Sequence, residues 1–376
     1  MAARMSSWWS VVGVLIGLEL RQRLRTTRWR ITLAVTFTVI SLAVFGSMYL
    51  ALSVDEADAN YDGWARNLYA VVLGVELFLG VVLAPTLTAT SINGDRKDAT
   101  LAVVQATPIS HWQLAVGKLL GSWVSCLALV AVASPYLVWG IVAAPYGVGI
   151  SVLGVIVLCL IFLCYCGIGL GYSALTARPA GSAVLTQATV FFLVLGLPAL
   201  FGLLYTTTAE DHVVVEADYT YADDATYDSF PECRDVTAVR SYNHTERIWW
   251  LLAPNPFLML PDVVAAHDNP SVRVWPTDQR PPDPSVARPV AELLSTARTG
   301  PYVAEPTCAE SMSTYSSDGS ITGFYQKQVA FESADVGRSW YLGLAVNVIL
   351  GALGLTVAAR RLRVPARTLP RGVRIA

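Results

Sequence analysis

Residues 85–118 read PTLTATSINGDRKDATLAVVQATPISHWQLAVGK. The chain on either side is apolar for long enough to cross a bilayer, so this stretch is a short polar loop hung between two membrane-type segments. Asn93-Gly94-Asp95 is a turn signal. Asp95, Arg96, Lys97 and Asp98 are then expected to open a helix that runs to about Ala106 and stops at Thr107-Pro108. Acidic residues in a first turn suit the positive end of a helix. Ser110 or Thr107 stands where a cap is needed for the helix that carries Lys118 into the next apolar segment. Such a loop is too ordered for a tether and too small for an enzyme. It reads as a handle gripped from outside the membrane; the plainer alternative is a connector that touches only lipid headgroups.

Working outward, 54% of the 376 residues are hydrophobic and 14% charged, far more apolar than a typical soluble domain. The apolar residues lie in blocks. About 20 predominantly apolar residues cross a bilayer as a helix, and six segments meet that length: residues 31–53, 67–92, 119–144, 147–175, 182–206 and 340–359. Only Glu76 places an acid or base well inside one of them. The expected fold is an all-α membrane protein with a six-helix transmembrane bundle, because a spanning helix satisfies its own backbone hydrogen bonds.

Net charge is only −2, but the charges are segregated. The first 30 residues hold six Arg and one Glu; the tail after Ala359 holds six Arg and no acid. Residues 207–339 hold 20 Asp and Glu against 9 Lys and Arg. Excess Lys and Arg marks the cytoplasmic face, so both termini are expected inside, as an even number of spans requires. The run from Trp8 to Leu18 is too short to span. With Trp8, Val12, Ile16, Leu20 and Leu24 at helical spacing and five Arg clustered beyond it, residues 1–30 read as a helix lying in the inner interface, the alternative being extra turns on the first span. No signal peptide is expected, since the basic cluster follows the apolar run. The partition is residues 1–30 as interfacial helix, 31–206 as spans one to five with the loop 93–118, 207–339 as an extracytoplasmic α+β insertion, 340–359 as span six and 360–376 as a basic cytoplasmic tail.

Inside the insertion, residues 212–221 and 321–331 alternate with β-branched and aromatic side chains and are expected as short strands. Residues 247–266 are apolar but broken by Pro254, Pro256 and Pro261, so they form no straight span. Residues 270–289, rich in Pro and charge, read as an extended linker. Cys233 and Cys308 are alone in this region. An oxidising compartment favours a disulfide between them over two free thiols. The other four cysteines, Cys126, Cys159, Cys164 and Cys166, lie within spans and read as small apolar packers.

Several chemistries lack their residues. Gly117-Lys118 is followed by Leu119 with no glycine five positions earlier, so there is no P-loop for ATP. No H-E-x-x-H occurs, and all four histidines fall outside the expected spans, which argues against an intramembrane zinc protease or a Ser–His dyad. No metal ligands and no catalytic residues are assigned. Glu76 is a pathway candidate, because an ionisable group within a span is costly; a structural hydrogen bond to a neighbouring helix is the equal alternative. Pro85 and Pro135 stand where they would kink their spans. Gly167, Gly169 and Gly171 allow close helix approach, the ordinary way bundles pack.

The acid-rich loop start, Ala99-Thr100-Leu101, Thr107-Pro108-Ile109-Ser110 and Gly117-Lys118 resemble the loop after the second span in permeases of the type-2 ABC exporter family. The basic N-terminal helix with Glu19-Leu20-Arg21, the six spans and Asn255-Pro256-Phe257 are also similar. The resemblance covers the membrane part, about two-thirds of the chain. It implies that the N-terminal helix and the loop, as coupling helix, dock on a separate ABC ATPase subunit, and that two ATPases join two permeases, identical or homologous. Asp95, Arg96, Lys97, Asp98 and Thr100, with Glu19 and Arg21, would make the ATPase contact. ATP and Mg would lie on the partner, with no cofactor on this chain and no nucleic acid; membrane lipid surrounds it. The chain departs from the family pattern in having Asp95 for the usual Glu, Ala99 for Gly, and a larger outer region. A membrane-anchored sensor or scaffold is the alternative. An enzyme acting on envelope lipids through His212, His244 and Asp262 is a weaker one. The Arg-, Ala- and Val-rich composition associates with a high-GC bacterium, and the expected location is its plasma membrane.

Overall fold

The computed structural model describes residues 2–53, 61–97, 101, 108–220, 232–265, 286–312 and 323–363. The chain divides into two compact units, Met1–Gly196 with Tyr341–Ala376, and Leu197–Trp340. The first begins with helices α1 (Ala2–Leu24), α2 (Thr27–Ser53), α3 (Tyr61–Ala89), α4 (Ser91–Lys97), α5 (His111–Ala143), α6 (Val148–Leu175) and α7 (Pro179–Phe191), the last continued by a π-helical turn at Phe192–Gly196. The second holds α8 (Leu197–Tyr205), strands β1 (Ala209–Thr220) and β2 (Glu232–Asn243), and helices α9 (Pro256–Ala265), α10 (Ala287–Thr299), α11 (Cys308–Met312) and α12 (Phe324–Glu332). The chain then closes the first unit with α13 (Trp340–Arg361).

Six helical stretches among the described residues are long and apolar enough to cross a membrane: Thr27–Ser53, Tyr61–Lys97, His111–Ala143, Val148–Leu175, Pro179–Thr208 and Trp340–Arg361. These are the six segments expected from hydropathy, lengthened at several ends. The third gains two turns because Ser110 caps it. Its Oγ accepts the Gln113 N–H at 3.2 Å, and Gln113 Oε1 accepts the Ser110 N–H at 2.8 Å. That reciprocal capping box fixes the helix start well before the apolar run.

In the first unit α3 is the central helix, packed on α2, α5, α6 and α7. Small residues set the contact distances. A Cβ on Gly140 of α5 would stand 2.8 Å from Tyr69 Cα, and one on Gly169 of α6 would stand 2.6 Å from the Pro85 carbonyl. Gly167 and Gly171 face Gly351 and Gly354 of α13 in the same way. Three polar side chains bridge helices inside the bundle: Tyr69 Oη donates to the Ser151 carbonyl at 2.6 Å, Trp64 Nε1 to Ser47 Oγ at 3.0 Å and Trp123 Nε1 to the Cys159 carbonyl at 2.8 Å. Cys126 and Cys166 lie with their sulfurs 3.7 Å apart as buried free thiols.

The second unit departs from expectation in places. β1 and β2 form an antiparallel hairpin running from Ala209 opposite Asn243 to Thr220 opposite Glu232. Of the stretch expected as a second strand at 321–331, residues 324–331 are instead in the helix α12. Phe324 and Phe331 stand two turns apart on one face, each with its ring 5.5 Å from that of Tyr302, so helical rather than strand spacing buries the aromatics. Most of the 270–289 linker lies outside the described residues, but its end is the first turn of α10, where Pro289 needs no backbone donor. The proline-broken segment folds as short 3₁₀ turns followed by α9. Leu252, Leu294 and Ala297 form a small core there with Phe201, Trp249 and Leu258. Asp262 of α9 accepts the backbone N–H groups of Gly337, Ser339 and Trp340 at 2.7, 2.9 and 2.9 Å, capping the start of α13. Burial pushes its carboxyl up, and the three donors pull it back part of the way. Cys233 and Cys308 form a disulfide with Cα atoms 5.7 Å apart.

The glycine at 140 gives a direct check. Gly140→Ala should lower the thermal unfolding midpoint of the detergent-solubilised protein, since overpacking against backbone costs about 1–3 kcal/mol. Gly74→Ala, whose Cβ would meet nothing within 4 Å, should leave the midpoint unchanged or raise it. Equal effects at the two positions would contradict this packing.

Candidate functional site

Where α3 ends, the chain breaks for one residue at Thr90 and restarts as α4. The Asn93-Gly94-Asp95 sequence expected as a turn is therefore helical. The reason lies in partners from outside the segment. A new helix start has N–H groups without intrahelical acceptors, and here Ser173 Oγ of α6 accepts those of Ile92 at 2.9 Å and Asn93 at 3.3 Å. Gly94 N donates to the Thr90 carbonyl at 2.9 Å, so the turn signal is absorbed into the helix. The expected extension to Ala106 falls mostly on residues outside those described. Leu101 alone is described there, helical and buried.

The sequence places a cation, Lys118, two turns inside α5, and the structure shows what neutralises it. Lys118 is 6% exposed. Its Nζ lies 2.6 Å from Asp95 Oδ2 and 3.0 Å from Glu19 Oε1, and donates to the Ser91 carbonyl at 3.3 Å. One ammonium thus joins α1, α4 and α5. Glycines make this possible: a Cβ on Gly117 would stand 2.7 Å from Leu15 Cβ, and one on Gly121 would stand 2.8 Å from Glu19 Cβ. Spaced four apart on one face of α5, they let α1 lie close enough for Glu19 to reach Lys118.

Arg23, one turn beyond Glu19 on α1, extends the cluster. Its Nη2 donates to the Leu87 carbonyl at 3.1 Å and to Ser122 Oγ at 2.9 Å, and its Nε lies 3.7 Å from Glu19 Oε2. Leu87 is in the last turn of α3, whose carbonyls need outside donors. At the other side Asn93 Nδ2 donates to Thr176 Oγ1 at 3.3 Å, and Arg96 Nη1 to the Ala174 carbonyl at 3.4 Å, near the end of α6. Four helices of the bundle are therefore tied to α4 or to one another by side-chain bonds at one end.

Of the residues singled out from the sequence, Glu19 and Asp95 come together on Lys118. Arg21, Arg96 and Lys97 are exposed, and Asp98 and Thr100 lie outside the described residues. Glu76 lies elsewhere, in the middle of α3. It is 0% exposed, and neither carboxyl oxygen has a hydrogen-bond partner among the described residues. The sequence reading missed the roles of Lys118, Arg23 and Ser173. A lysine displaced two turns into an apolar helix and flanked by Gly117 and Gly121 was the available signal for the first. Ser173 carries none that distinguishes it from any serine in a span.

A family model described as ABC-2 family transporter protein matches residues 14–223, more than half of the chain. No curated protein matches it. The matched region contains the whole Glu19–Asp95–Lys118 cluster.

Lys118→Met should destabilise by up to about 3 kcal/mol, since breaking a buried ion pair costs about 3–5 kcal/mol and here Asp95 is one-third exposed while Glu19 keeps Arg23. Adding Glu19→Gln and Asp95→Asn to it should restore much of the unfolding midpoint in detergent. A triple variant no more stable than the single one would show that the three charges do not act together.

Proposed function

The chain belongs to the ABC-2 transporter family, and from that premise we propose that this membrane permease is driven by ATP hydrolysed on a separate ABC ATPase subunit. The observation that carries the proposal is Lys118, whose ammonium binds both Glu19 of α1 and Asp95 of α4. A partner that moves either helix pulls on the other and on α5 through a bonded joint. Rigid-body motion of packed helices is an ordinary way for a small local displacement to become a change of state.

In this proposal the partner grips α1 and the loop 93–118 from the cytoplasm. Asp95 and Glu19 serve from within, by holding the two gripped elements to the bundle. Arg96 and Lys97, exposed at the end of α4, offer the positive surface that the partner meets. Asp98 and Thr100 belong to the same contact. Two permeases, identical or homologous, work with two ATPases in a bacterial plasma membrane with both termini inside, and transport proceeds by alternating access in the outward direction. ATP drives the change only to the extent that the ATPase pair binds one state of the permease better than the other.

Glu76 and the second and fifth spans border the pathway in this account. A buried carboxyl with no donor is costly to maintain, and such a cost within a membrane span marks a position to test for function.

Reversing the two exposed charges, Arg96→Glu with Lys97→Glu, should leave membrane insertion intact and abolish co-purification of the ATPase. Normal co-purification and transport in that variant would sink the coupling assignment. Glu76→Gln should retain the complex and lower transport; full transport with the amide would remove Glu76 from the pathway.

A further inference from the structure

The hairpin of the second unit brings together residues that lie far apart in sequence. In its register Glu210 stands opposite Tyr242 and His212 opposite Arg240. Directly opposed residues share a face, as do residues two apart along a strand. Glu210, His212, Arg240 and Tyr242 therefore project to one side. His244 follows two residues after Tyr242, and its N–H donates to the Thr208 carbonyl at 2.9 Å, which carries the ladder one step past β2. The result is that His212 Nε2 and His244 Nε2 lie 2.8 Å apart, with Glu210 Oε2 3.6 Å from His244 Nε2. All three donor groups lie within 4.8 Å of one another.

We propose that Glu210, His212 and His244 form a binding site for a divalent transition-metal cation of the zinc type. The donor set is two imidazole nitrogens and one carboxylate oxygen, which suits zinc among the common divalent ions. Tetrahedral zinc with bonds of about 2.0–2.2 Å places its donors about 3.3 Å apart. The observed separations of 2.8 and 3.6 Å fall on either side of that value. Seating the ion asks the two rings to part by about half an ångström and the Glu210 carboxylate, within 4.8 Å of both nitrogens, to close on it.

The surrounding groups are arranged as a metal site needs. His244 Nδ1 lies 2.6 Å from Glu246 Oε1. A carboxylate only accepts, so Nδ1 carries the proton and Nε2 presents its lone pair to the site. This is the carboxylate–histidine support that fixes ring orientation and tautomer in metal centres. Arg247 Nη1 holds Glu210 Oε1 at 2.6 Å, and that guanidinium keeps the Glu210 carboxyl below its ordinary range. Arg240, directly across from His212, is forked onto both oxygens of Glu216 at 2.6 and 2.7 Å, which occupies the strand's nearest cation. The His244 side chain is 13% exposed and that of Glu210 45%. The imidazole is thus held by packing, while the carboxylate side is open for an ion to arrive. Three protein donors leave the fourth position for water or an outside ligand. The simpler description, a hydrogen bond between neutral rings, requires His212 Nε2 to carry the bridging proton. Binding an ion there needs only the other His212 tautomer.

The test uses the full-length protein in detergent, with any affinity tag removed and metal stripped by a chelator. Titration with Zn²⁺ against a chromophoric indicator should give one equivalent bound with a dissociation constant of about micromolar or tighter. Co²⁺ in its place should give the visible absorption of a tetrahedral centre. His212→Ala and His244→Ala should each abolish the one-equivalent binding, and Glu246→Gln should weaken it about 10–100-fold. Circular dichroism of the stripped variants should match that of the stripped parent, which separates ligand loss from unfolding. No stoichiometric binding, or binding that survives both histidine substitutions together, would overturn the assignment.

Discussion

A lysine ammonium at the end of an apolar bundle needs negative partners, because leaving it unpaired costs several kcal/mol. Lys118 finds them on two different helices, Glu19 of α1 and Asp95 of α4. Much of the arrangement at this end follows from that requirement. α1 must lie close on α5, which Gly117 and Gly121 permit. α4 must begin at once after the break at Thr90 so that Asp95 falls opposite Lys118, and Ser173 supplies the acceptor for its first N–H groups. Arg23 then closes the open end of α3. Each of these contacts serves an orphaned backbone or charged group, and together they join the N-terminal helix, the loop and the bundle. The described part of the loop is therefore part of the bundle's end.

The spans were legible because twenty apolar residues in a row have few other uses, and Glu76 was visible as the one charge among them. The two-stranded hairpin was half legible: alternation exposed β1, while its partner β2, with the same number of charged residues but weaker alternation, stands out only once the register is known. Proximity across the fold was not legible. Asp95 reads as a contact for a partner, yet it pairs with Lys118, 23 positions later in the chain; the glycines flanking Lys118 signal a close helix there but not which acid meets it. His212 and His244 are 32 residues apart, and only the hairpin register puts their rings together. Phe324 and Phe331 misled because a short aromatic-rich run fits both periods, and Tyr302, which decides between them, lies 22 residues upstream.

The second unit adds demands of its own. Asp262 fixes the chain just before α13 by accepting three backbone donors, and the Cys233–Cys308 disulfide ties β2 to α11. The hairpin's polar face is organised by pairing, with Glu216 on Arg240, Glu305 on Tyr242 and one oxygen of Glu246 on His244. Side chains fixed in this way are what a specific ligand site requires, since immobilising them has already been accomplished by folding.

In the proposed function, the helix that carries Lys97 faces a separate ATPase while Asp95 holds it to the bundle. A photo-crosslinking amino acid placed at Lys97, in the protein expressed with its native ATPase, tests this most directly. The account predicts a single protein adduct, to the ATPase, whose yield changes between nucleotide-free and ATP-bound membranes. A transport-competent protein that gives adducts only to lipid, or to a protein without a nucleotide site, would contradict it.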